Sequence, residues 1–278
     1  MRTKAKALLP LMIIAVLVLL SAQVRRSVSD SLQLCATVLL PALFPFFIVS
    51  GILYDFGLDT LMPPAFCCFC IGAVCGYPLG TRAVCAYYGD GKITRTQAER
   101  LLLCTALASP AFLISAVGDK LLGQRALGYK LFLAQLCTAL LIFLLFVPDK
   151  MKKGGAAAGA KVSESFLKNT RIATDQILFV CALTVFFGIF CDFLKWLPID
   201  ENLRLLGVGG IEILHGVALF EKQPMLLLCA LLGWSGFCVF VQCASFVRQS
   251  DLKLRYLWLG KIAMTLLLPI LFFLFSAI

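Results

Sequence analysis

The sequence predicts an all-α, polytopic membrane helix bundle with interrupted or re-entrant helices, in two halves that carry signs of a shared pattern. Three observations predict it. Apolar residues fill 61% of 278 positions and charged residues 14%; the mean hydropathy is +0.95; and six to eight segments approach the roughly 20 apolar residues that a spanning helix needs. This composition lies far outside that of soluble domains. The net charge of +10 is no nucleic-acid footprint, because its lysines and arginines fall between the apolar segments, as membrane topology demands.

The segments run from about 8 to 23, 31 to 57, 61 to 88, 97 to 118, 126 to 148, 172 to 197, 224 to 247 and 254 to 277. The first has basic residues on both sides, Arg2, Lys4 and Lys6 before it and Arg25 and Arg26 after it. It is expected to be an uncleaved span, since Ser21-Ala22-Gln23 makes a poor signal-peptide cleavage site. A re-entrant hairpin among the interrupted segments would resolve the conflict of flanking charges. Residues 149–171 form a basic, Gly/Ala-rich linker between a first membrane half (1–148) and a second (172–278). The positive-inside rule puts this linker in the cytoplasm, together with Lys92, Arg95, Arg100 and the stretch Arg248 to Lys261, and puts the turn at Gly118 to Gln124 outside.

Phe46-Phe47 with Ala42-Leu43 aligns with Phe186-Phe187 and Ala182-Leu183, and Gly72 with Gly76-Tyr77 finds a looser echo in Gly233 with Gly236-Phe237. Internal duplication is common in transporters, with the binding site between the repeats.

The main break is Gly76-Tyr77-Pro78-Leu79-Gly80-Thr81-Arg82. Gly72, Gly76 and Gly80, four apart, suit close helix packing. Pro78, however, removes an amide donor and clashes with the preceding turn, so the helix should stop and restart. Unpaired backbone at membrane depth survives only against protein or a watery cavity, and a restarting helix N-terminus attracts anions, with Arg82 one turn on. A second break is expected at Ser109-Pro110, along a helix whose onset is signalled by Gly89-Asp90-Gly91 and a capping box at Thr96 to Glu99; Ser109 also has the option of bonding back to a carbonyl.

In the second half, Glu212 and His215 share a helix face in a short segment that sits either in the membrane or, wet, along its interface. Gln242 lies well within a span, as a site residue or as an interhelical hydrogen bond. Cys67, Cys70 and Cys75 offer soft ligands for a transition metal, but with one histidine in the chain they lack partners. The thirteen cysteines are expected to be small apolar thiols. No nucleophile with an adjacent base, no paired carboxylates and no phosphate loop is evident, so no enzyme is expected.

Leu40-Pro41-Ala42-Leu43-Phe44-Pro45-Phe46-Phe47, Gly76-Tyr77-Pro78-Leu79-Gly80, the run Thr94 to Leu103, Ser109-Pro110, Val117-Gly118, Glu212 and Gly233 to Phe246 together resemble the sporulation integral membrane protein YlbJ family, in the nucleoside recognition or Gate domain group. The resemblance covers most of residues 30 to 265. It implies a multi-pass protein of the mother-cell-derived membrane around the forespore, moving dipicolinate. Leu79 and Arg82 stand where the family favours a small polar residue and lysine, which keeps the cation and loses a hydroxyl; Ala108 and Ser109 replace a polar residue and glycine.

Together these readings assign a small anionic substrate to Gly76, Tyr77, Pro78, Gly80, Thr81, Arg82, Ser109, Pro110 and Gln242, with Glu212 and His215 as secondary candidates. Arginine suits carboxylates through its bidentate fork. No cofactor, metal or nucleic acid is expected; the partners are the substrate and the lipid bilayer, with a homo-oligomer left open. A nucleoside permease, a metal permease and a non-transporting scaffold are the competing readings.

Overall fold

A computed structural model describes residues 2–147 and 161–276. The described residues are mostly helical and include no strand. Five helical runs are long and apolar enough to cross a membrane: Ser21–Asp55, Arg125–Phe146, Val162–Lys195, Met225–Gln249 and Leu254–Ser276. The protein is therefore a multi-pass membrane protein.

α1 (Arg2–Leu19) meets α2 (Ser21–Leu34) at Leu20. A π-helical turn, Cys35–Leu39, joins α2 to α3 (Leu40–Asp55). At about 1.5 Å per residue this 35-residue run is about 50 Å long, well beyond the ~30 Å hydrocarbon core, so the start of α2, with Arg25 and Arg26 exposed, projects from it. The expected boundary between the first two spans is thus continuous helix.

The segment expected as a third span is instead a hairpin. α4 (Pro64–Cys75) and α5 (Leu79–Gly89) fold back on each other across Gly76-Tyr77-Pro78. Their open ends meet where Lys92 Nζ pairs with Asp59 at 3.1 Å and the rings of Tyr54 and Tyr87 touch edge to face; Tyr54 also donates to Asp90. Gly72 and Gly80 allow the fold-back, because a Cβ on Gly72 would lie 2.6 Å from the Thr105 carbonyl and one on Gly80 would meet both that carbonyl and the Gly72 backbone.

The next segment is also broken. α6 (Arg95–Leu101) starts on a capping box between Thr94 and Gln97, not Thr96 and Glu99, since Glu99 is engaged by Arg95 at 3.3 Å. The chain leaves the helix over 102–109 and resumes, after Pro110, as a π-helix, Ala111–Leu121. α7 (Arg125–Phe146) packs back along it.

The second half repeats this order. α8 (Val162–Lys195) starts inside the stretch expected as linker, whose residues 149–160 lie outside the described residues. α9 (Glu201–Ile211) and α10 (Ile213–Ala218) form a second hairpin around Glu212, so close that a Cβ on Gly216 would run into the Gly209 Cα, while one on Gly209 would press on the Leu231 side chain at 2.9 Å. α11 (Met225–Trp234) and α12 (Gly236–Gln249) form one span broken at Ser235, and α13 (Leu254–Ser276) packs against α11 and α7.

Beyond α1, each half therefore contains a long helix, a re-entrant hairpin, a broken span and a closing helix. In each set the hairpin folds back on itself, and the long helices of the two sets run antiparallel, Cys35 lying beside Cys181 and Gly51 beside Asn169. Cross-contacts agree: Asp55 meets Lys168 at 2.9 Å and Arg95 meets Asp251 at 3.6 Å on the linker face, while Lys120 Nζ donates to the Thr37 carbonyl at 2.9 Å towards the other. The expected pairing of Phe46-Phe47 with Phe186-Phe187 falls on equivalent helices, α3 and α8. The pairing of Gly76 with Gly236 does not; element order matches Gly76 with Glu212 and Ser109 with Ser235.

Gly80→Ala should destabilise the protein by about 1–3 kcal/mol, the usual cost of overpacking a filled site, as a lowered unfolding midpoint in detergent. Gly89→Ala, where a side chain meets nothing within 4 Å, should leave that midpoint nearly unchanged.

Candidate functional site

Four helix interruptions converge at the centre of the bundle. At the first hairpin tip, Gly76 has φ 78°, which favours glycine, and a Cβ there would lie 2.6 Å from the Ser109 amide. The Tyr77 amide donates to the Leu107 carbonyl at 2.6 Å, stitching the hairpin tip to the broken span. The Tyr77-Pro78 peptide is cis, and α5 restarts with Pro78 as its N-cap.

The amides expected to await an anion are partly consumed here: Gly80 N bonds to Gly76 O at 3.1 Å and Arg82 N to Pro78 O at 3.0 Å. What the tip leaves unsatisfied is side-chain oxygen. The Tyr77 hydroxyl is buried with no hydrogen-bond partner, and the buried Thr81 hydroxyl meets nothing stronger than the Cys243 thiol.

Ser109 caps the π-helix, its Oγ accepting from Phe112 N at 3.1 Å, and Pro110 begins the turn; Ser109 is thus structural in this state. Gln135 of α7 holds the same break from the other side. Its Nε2 donates to Ala108 O at 2.8 Å and its Oε1 accepts from Ala108 N at 3.1 Å, so one side chain satisfies both backbone groups of a buried residue.

At the second tip, Glu212 and His215 are not wet: they are 2% and 4% exposed. Glu212 Oε2 accepts from the His215 amide at 2.8 Å and faces Nδ1 of the same residue at 2.7 Å. His215 Nε2 lies 3.1 Å from Ser31 Oγ of α2. Gln242, the site candidate whose alternative reading is an interhelical hydrogen bond, is also buried and donates to Cys238 Sγ at 3.4 Å within its own helix.

Lys261 is the residue that sequence reasoning misses. Its position in the chain groups it with the cytoplasmic charges, but it lies within α13 and is 1% exposed. Its Nζ donates to Ala106 O at 2.9 Å, in the first broken span, and to Ser235 Oγ at 3.0 Å, at the second. It also sits 5.4 Å from the centre of the Tyr77 ring, within cation–π range. Ser235 has φ 66°, a left-handed conformation uncommon for a non-glycine residue. The available signal is a single lysine within the apolar run 254–277, since ionisable residues inside a span are functional suspects.

Arg82 lies elsewhere. It leaves α5 towards α8, donating to Gln176 Oε1 at 3.2 Å. It lines a cleft of about 130 Å³ near the linker face with Tyr54, Asp55, Lys168 and Asn169. Asp55 is held by Lys168, by Ser165 at 2.8 Å and by Asn169 at 2.7 Å, so two cations face one carboxylate. The structure thus brings Gly76, Tyr77 and Ser109 together, adds Lys261, and sets Arg82 in a separate cleft.

The cysteines are free thiols, and Cys67 donates to the Met62 carbonyl at 3.5 Å. Among the described residues no three His, Cys, Asp or Glu side chains are grouped to hold a metal ion.

Gln135→Leu should orphan both backbone groups of Ala108 at a cost of about 1–3 kcal/mol for each buried group left unpaired. The check is chemical denaturation in detergent, with Leu133→Ala on the exposed side of the same helix as the control that should change little.

No family model matches the chain, and no solved structure matches it. The chain is similar to the sporulation integral membrane protein YlbJ of Bacillus subtilis (strain 168), with 22% identity over 288 aligned positions covering 81% of this chain and 71% of that protein.

Proposed function

We propose that the protein is a transporter for a small organic anion, with a dicarboxylate of the dipicolinate kind as its cargo, acting in the membrane around the forespore during sporulation. The observation that carries this reading is Lys261, a buried cation bonded to the two broken spans at once. A protein that needed only to seal these breaks would do so more cheaply with an amide, as Gln135 does at Ala108. Desolvating an ammonium is expensive unless its charge is used.

The linker face is taken as cytoplasmic from its basic residues. Arg82 and Lys168, opposed there by Asp55, draw carboxylates into the cleft. Tyr77 and Thr81 present hydroxyls at the hairpin tip, and Lys261 offers the charge at the centre, where a carboxylate would replace the Ala106 carbonyl as its partner. Two halves of opposite orientation suit alternating access, in which one set of hairpin contacts opens as the other closes. The similarity to a sporulation membrane protein supports the setting, and the cargo follows from the resemblance and the cations.

The test is uptake by liposomes containing the purified protein, with labelled dipicolinate, other dicarboxylates, nucleosides and ferrous iron. Saturable accumulation of carboxylates supports the proposal; selective accumulation of nucleosides or iron, or none, overturns it. Lys261→Met should abolish uptake while the protein remains folded. Arg82→Ala should raise the half-saturating concentration about tenfold or more, the loss of one charge-assisted hydrogen bond, and Arg82→Lys should retain part of the affinity.

A further inference from the structure

The Ser31, His215 and Glu212 chain has no part in the anion path described above, yet it is a file of buried exchangeable groups that reaches towards solvent. An open vestibule of about 1050 Å³ on the face away from the linker is lined by Arg25, Ser27, Asp30, Asp192 and Lys195 among others. Ser27 is 2% exposed, and its hydroxyl, within reach of Asp192, makes no hydrogen bond of ordinary geometry. One helical turn deeper on the same face of α2, Ser31 is 0% exposed and meets His215 Nε2. His215 Nδ1 meets Glu212, which stands at the hairpin tip, in the centre of the bundle. Gly188 of α8 makes the file possible, because a Cβ there would run into Ser31 Oγ and lie 2.9 Å from His215 Nε2.

We infer that Ser31, His215 and Glu212 form a proton-binding site, loaded from the vestibule, that couples anion transport to proton movement. The coupling rests on the transporter reading; the site itself does not. With Glu212 ionised, Nδ1 carries a proton and donates it to the carboxylate, and Nε2 accepts from the Ser31 hydroxyl. A proton arriving from the vestibule side is taken up by the Ser31 oxygen as Ser31 passes its own proton to Nε2. The imidazolium so formed is stabilised by Glu212. Release by the reverse route, or onward through Nδ1 to Glu212, restores the neutral ring.

The titratable groups in electrostatic reach of this site are Asp192 and Cys191 of α8, Cys35 beside α2, Cys238 of α12 and Tyr77 at the first hairpin tip. Asp192 is paired with Lys195 at 2.7 Å. The order serine, histidine, carboxylate also serves acyl transfer in hydrolases, but Ser31 is sealed within helix packing, where a proton reaches and an acyl donor does not.

Since His215 is the sole histidine of the chain, protein labelled with ¹⁵N-histidine and purified without a histidine tag reports on this ring alone. In lipid, its two nitrogen resonances should shift on acidification and its Nε2 site should exchange protons with water. Gly188→Ala, which adds no charge, should suppress that exchange by wedging between Ser31 and His215. Resonances that ignore pH, with no exchange, would overturn the site. In liposomes, an imposed pH gradient should drive labelled dipicolinate accumulation by the natural protein, and His215→Gln should lose that response. Dipicolinate exchange that is indifferent to the gradient would overturn the coupling and leave the transporter reading standing. Proton exchange at His215 without any dipicolinate movement would overturn the transporter reading and leave the site.

Discussion

Backbone groups in hydrocarbon must find partners within the protein, and the organisation of this molecule follows from how its four helix interruptions meet that demand. The Tyr77 amide is taken by the Leu107 carbonyl, Ala108 by Gln135, the Phe112 amide by Ser109, and the Ala106 carbonyl by Lys261. Most of these bonds cross from one interruption, or one helix, to another. The breaks therefore hold one another, and the centre of the bundle is a polar knot inside an apolar shell. Such a network is strong when complete and costly when any member is lost.

The closing helices show a division of labour. α7 and α13 occupy equivalent places in the two halves, and each sends a polar side chain into its own half's broken span. Gln135 satisfies both groups of a single residue and is finished. Lys261 reaches across to the other half as well, bonded to the Ala106 carbonyl in one broken span and to the Ser235 hydroxyl in the other. The same position thus holds a single break in one half and joins two breaks in the other.

The fold class was legible in the sequence because composition and segment length decide it. The breaks at Gly76 to Pro78 and at Ser109-Pro110 were legible because glycine and proline inside an apolar run leave few alternatives. Those at Glu212 and Ser235 were not, since each turns on a single residue leaving helical geometry under tertiary contact, Glu212 in extended backbone and Ser235 left-handed. Arg82 departs from its expected place because helical phase cannot be counted across the Pro78 interruption. The wet reading of Glu212 and His215 fails because a second hairpin, unseen in the pattern, carries a short charged-flanked segment inward. Lys261 is masked by its neighbours: Arg248, Lys253 and Arg255 belong to the linker face, and less than two turns of α13 separate that cluster from the interior.

The opposed orientation of the two halves has a consequence for energetics. If the sequences of the halves were identical, a two-fold rotation would relate them, and exchanging the packing of one half for that of the other would leave the free energy unchanged. The lysine at one closing helix and the glutamine at the other remove that degeneracy. With a buried lysine joining both broken spans on one side alone, the packing has a preferred sense that the backbone pattern by itself does not impose.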